Sequence, residues 1–87
     1  MSNADVDWFY QELKAIGGKP STTGPFKSEW VVDKANALEL TKFFAREFNI
    51  VKDGGGWWDH KTRWLTARFH GYRDKPDLYV SAIPRTR

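Results

Sequence analysis

Apolar residues along the chain recur first at a helical period and later at the period of strands. Val6, Phe9, Leu13 and Ile16 are spaced by 3, 4 and 3 residues, so they share one helical face. This predicts an N-terminal helix over 4–16, capped by Asn3 or Asp5 and stopped by Gly17-Gly18. The polar run Lys19 to Pro25 (KPSTTGP) predicts a flexible loop over 17–25. Phe26 to Asp33 then alternates, with Phe26, Ser28, Trp30 and Val32 on one side and Lys27, Glu29, Val31 and Asp33 on the other, as a strand would. Asn36 followed by Glu39 has the form of a capping box. It opens a second helix to about Phe48, with Ala37, Leu40, Phe44 and Phe48 as its apolar stripe and Phe43 beside it.

After Asn49 the pattern changes to short β-like segments. These are Ile50 to Lys52, Trp57-Trp58, Arg63 to His70 and Leu78 to Ile83, separated by Gly54-Gly55-Gly56, by Asp59 to Thr62 and by Gly71 to Asp77. The expected order is α-β-α-β-β-β, or the same order with its second strand interrupted. Such an order fits an α+β domain, an antiparallel meander with two helices packed on one face. A single domain over 1–87 is expected, with a compact core at 26–83 and a basic tail at 84–87.

Composition sharpens one part of this picture. The chain has 87 residues, of which 14 are aromatic (5 Trp, 6 Phe, 3 Tyr), more than so small a core readily absorbs. Periodicity assigns Phe9, Trp30, Phe44, Phe48 and Phe69 to the core. It leaves Trp8, one of Trp57 and Trp58, Trp64, Tyr72 and Tyr79 as candidates for exposure. Adjacent residues on a strand point to opposite faces, so Trp57 and Trp58 cannot both be buried under helices on one side. Along Arg63 to His70, Leu65, Ala67 and Phe69 form the apolar side, and Trp64, Thr66, Arg68 and His70 the polar one.

Charge is distributed unevenly. Up to Asn49 the chain carries 6 basic and 7 acidic residues, and from Ile50 onward 8 basic and 4 acidic, which together give the overall +3. Aromatic surplus and positive charge therefore coincide in the second half. The expected function is that of a small basic accessory module whose aromatic and arginine face binds nucleic acid, through Trp57, Trp58, Lys61, Arg63, Trp64, Arg68, His70 and Arg73, with Arg85 and Arg87 adding affinity from the tail. The same residue types dominate protein interfaces. The alternative is accordingly a protein-binding module or inhibitor, of a size a virus or phage encodes, docking on a larger machine. A third expectation is a homodimer formed through Leu78 to Ile83 as an exposed edge strand.

Other chemistry finds little purchase. There is no cysteine, which removes disulfides, thiol nucleophiles and thiolate metal ligands and fits a reducing, cytoplasmic setting. His60 and His70, with Asp53, Asp59, Asp74 and Asp77, lack any metal-ligand or acid–base spacing, so neither a metal, a cofactor nor an enzymatic activity is expected. The glycine triplet fits no phosphate-binding fingerprint and reads as a turn, with a ligand-contacting loop as its alternative. Met1 to Asp7 is polar and acidic, unlike a secretory leader, and no apolar run suits a membrane span.

Overall fold

A computed structural model of the chain describes residues 3–21 and 29–85. The expectations for Phe26, Lys27, Ser28 and Arg87 lie outside the described residues. Helix α1 spans Ala4–Ala15, and of its two expected caps Asn3 is the one used: its side-chain oxygen accepts from the N–H groups of Asp5 and Val6 at 3.0 and 3.1 Å. Gly17, at a φ of +90°, turns the chain out of the helix, and its N–H and that of Gly18 reach the carbonyls of Lys14 and Leu13. Part of the expected loop is then a short strand, β1 (Lys19–Pro20), paired with Val31 and Trp30 of β2 (Trp30–Asp33).

The entry to the second helix differs from the capping-box expectation. Asn36 makes no side-chain cap bond, because it sits inside a 3-10 turn (Lys34–Asn36) at φ −100°, ψ 13° and not in the extended conformation of a cap. Asp33 takes the role one turn earlier, accepting from the Ala35 N–H at 2.8 Å. Helix α2 spans Ala37–Glu47, and Phe48 already begins β3 (Phe48–Ile50). The remaining strands are β4 (Trp58–His60), β5 (Leu65–Gly71) and β6 (Asp77–Pro84).

The described strands form one antiparallel sheet in the order β1-β2-β6-β5-β4-β3. The α+β architecture is as expected, with the late strand before the long hairpin divided into β3 and β4. Of the expected free edge, Ser81, Ala82 and Ile83 pair only with β5 among the described residues, and the first half is not free. Leu78, Tyr79 and Val80 are paired on both sides, with β2 and with β5, which leaves β1 and β3 as the outer strands.

Both helices cover the same side of this sheet. Phe9 and Leu13 of α1 and Leu40, Phe43 and Phe44 of α2 meet Phe48, Val32, Leu65, Ala67, Val80 and Ala82 in one cluster. Phe9, Phe43, Phe44 and Phe48 each contact the other three, with ring centroids 4.8–6.0 Å apart, geometry that adds to plain area burial. Trp58 pairs with Ala67 in register and so shares the helix-covered side, edge-on to Phe44. That register decides the tryptophan pair: Trp57 belongs to the other face.

Candidate docking face

Alternate residues of the paired strands build a sheet face that neither helix covers. Register sets them in rows: Asp59, Thr66 and Ile83 in one, Arg68 and Ser81 in the next, His70, Tyr79 and Val31 in a third. At the β2 end the face is closed, since Val31 is buried. Towards β4 and β5 it is open, with Ile83 50% and Tyr72 52% exposed.

Three local units organise the open part. The Arg68 guanidinium lies 4.7 Å from the centre of the Trp57 ring, a cation–π contact that holds both side chains flat on the sheet. His70 stacks on Tyr79 and meets Tyr72 edge-on, with His70 Nε2 3.1 Å from the Tyr72 hydroxyl. Arg85 covers Trp64 at 5.0 Å and pairs with Asp59 at 3.1 Å, while the Asp59 carboxylate also accepts from the Thr66 hydroxyl at 2.6 Å.

Of the residues the sequence singled out, Trp57, Trp64, Arg68, His70 and Arg85 are brought together here, and Arg73 stands in the exposed turn beyond Tyr72. Three are not. Trp58 faces the helices. Lys61 donates to the Arg46 carbonyl at the end of α2. Arg63 turns to the other side of the molecule, 4.2 Å over the Trp8 ring and 3.4 Å from the Asp5 carboxylate. Trp8, expected to be exposed, is half-buried between Phe43, His60 and that arginine.

The face also contains Tyr79, Ile83 and Asp59, absent from the expected set. A period of two along Leu78 to Ile83 would have put Tyr79, Ser81 and Ile83 on one side; nothing local marks Asp59. By register this face carries Lys19 and Arg68 with Asp33, Asp59 and Asp77, and Arg85, just past β6, joins it by pairing with Asp59; Lys19, Asp33 and Asp77 stand at the β2 end, and Arg68, Arg85 and Asp59 in the open part.

His60 and His70 lie on opposite faces and share no site. His60 is buried, and its Nδ1 accepts from the N–H groups of Thr62 and Arg63 at 3.0 and 2.9 Å. The ring hydrogen is therefore on Nε2, which points at Glu47 Oε1 3.4 Å away. Burial, opposed by Glu47, holds its pKa below the ordinary histidine value. The residue shapes the turn between β4 and β5.

Among the described residues no three His, Asp or Glu gather as metal ligands, and no helix is long and apolar enough to cross a membrane. Compared with known proteins, the chain matches no family model, and no curated protein or solved structure resembles it significantly.

Proposed function

We propose that the chain is a protein-binding module that docks on a larger partner through the open face around Trp57, Arg68, Tyr79, Ile83, Trp64 and Arg85. The observation that carries this reading is the composition of the face: rings and arginines already fixed against one another beside one exposed aliphatic side chain. Pre-organised tryptophan, tyrosine and arginine are the residues that concentrate binding energy in protein interfaces. Among the described residues Arg68 pairs with no carboxylate, whereas Arg63 and Arg85 do. The matching partner surface therefore offers an acidic group to Arg68 and an apolar side chain to Ile83.

A second reading is nucleic-acid binding. It is favoured by Arg68 on Trp57 beside the His70, Tyr72 and Tyr79 rings, an arrangement on which a base could stack. Against it, Lys61 and Arg63 are spent elsewhere and Arg85 is already paired with Asp59, where a phosphate backbone selects unpaired positive charge.

One experiment separates the readings. Tagged protein is used to capture partners from extracts of its native host, with and without nuclease, and the variants W57A, R68A and I83D are compared with K42A on the exposed back of α2. The proposal expects a nuclease-resistant partner kept by K42A and lost in the three face variants. A partner unaffected by those variants would overturn it. Recovery of nucleic acid alone, weakening steeply with salt, would establish the second reading in its place.

A further inference from the structure

The tip of the β3–β4 hairpin and the end of β5 enclose a recess. β4 ends opposite Ala67 while β5 runs on to Gly71, so Arg68, Phe69, His70 and Gly71 are paired on the β6 side alone. The glycine turn stands beside this vacated edge. Between them lies a cavity of about 300 Å³ lined by Gly55, Gly56, Arg68, Phe69, His70 and Tyr72.

The lining contains no carboxylate and is rich in donors. Gly55 and Gly56 have φ of +65° and +87°, and a Cβ on either would meet no atom within 4 Å. Glycine here serves the backbone conformation, and the space beside it is left to the recess. Arg68 is held by Trp57, and its Nε is enclosed yet has no hydrogen-bond acceptor among the described residues. A buried donor in that state costs free energy that an incoming acceptor returns. When Nε2 of His70 carries the ring hydrogen it donates to the Tyr72 oxygen, and the phenol hydrogen is then available to a ligand.

We propose that this recess binds an oxyanion, a carboxylate or a phosphate group, through the Arg68 guanidinium and the Tyr72 hydroxyl. Planar, forked guanidinium is the side chain best suited to such a group. The inference goes beyond protein docking, because it concerns the free protein and a small anion.

The test is a titration of the isotopically labelled full chain with sodium acetate and, separately, with inorganic phosphate, followed by the amide resonances and the Arg68 Nε–H resonance. Saturable shifts centred on Gly55, Gly56 and Arg68 are expected, and the tighter of the two salts tells carboxylate from phosphate. R68Q should weaken binding about tenfold, and K42Q, which removes one charge from the back of α2, should leave it unchanged. No saturable shift with either salt, shifts centred elsewhere, or an equal loss in K42Q would overturn the proposal. The Arg68 Nε–H resonance of the wild-type chain decides the matter even if R68Q fails to fold.

Discussion

The Asp5 carboxylate, in the first turn of α1, accepts the backbone N–H of Trp64 at 3.1 Å across 59 positions of sequence. Its other oxygen faces Arg63. One side chain thus supports the helix start electrostatically, satisfies a bend N–H and fixes the arginine that covers Trp8. D5A should lower unfolding stability by about 1–2 kcal/mol, with the melting temperature falling roughly 4–8 °C for each kcal/mol. D5N, which keeps an acceptor for Trp64, should cost less. Urea unfolding of the two variants checks this order.

His60 makes stability pH-dependent in a defined direction. Its folded pKa lies below the unfolded value of about 6.5. As pH falls through that value, the unfolded chain takes up a proton that the folded chain refuses. This contribution is therefore complete at neutral pH, declines below about pH 6.5, and levels off once the folded pKa is passed. H60N keeps an acceptor for the Thr62 and Arg63 amides but cannot titrate. It should melt lower than wild type at pH 8 for want of ring contact with Trp8 and Phe48, and should show a flatter dependence between pH 7 and 5.

Phe44 is buried among Phe9, Phe43, Phe48, Trp58 and Phe69. F44A should cost about 3–5 kcal/mol, against roughly 4–13 kcal/mol for a whole domain of this length. Loss of the cooperative transition at 37 °C, or a greatly reduced denaturation midpoint, is the expected readout.

Gly56 has room for a side chain but not the backbone for one. G56A should destabilise by about 1 kcal/mol through its φ of +87° alone. D-Alanine at the same position, introduced by chemical synthesis, should restore wild-type stability.

Elements set by local periodicity were legible in the sequence. The stripe Val6, Phe9, Leu13, Ile16 fixed α1, and alternation from Leu65 to His70 placed Arg68 and His70 on the uncovered side. What depends on distant partners was not. Trp57 and Trp58 are equivalent until the pairing of Trp58 with Ala67 is known. Arg63 is lost to the face because Asp5, 58 positions away, lies within reach. The helix entry was misplaced by one turn because Asp33 and Asn36 are both good caps and only the 3-10 turn selects between them. Leu78 to Val80 reads as an edge, though paired on both sides, because chain order carries no information on sheet order.

The central position of β6 bears on how the molecule forms as it leaves the ribosome. β2 is joined to β5 only through β6, so until Asp77 to Pro84 has emerged, Trp30 to Asp33 has no strand partner among the described residues except the two of β1. Pairings of such long sequence separation close slowly. Nascent chains shorter than about 77 residues plus the tunnel should therefore remain protease-sensitive around β2, with protection arriving abruptly rather than strand by strand. Arrested chains of graded length would display that threshold.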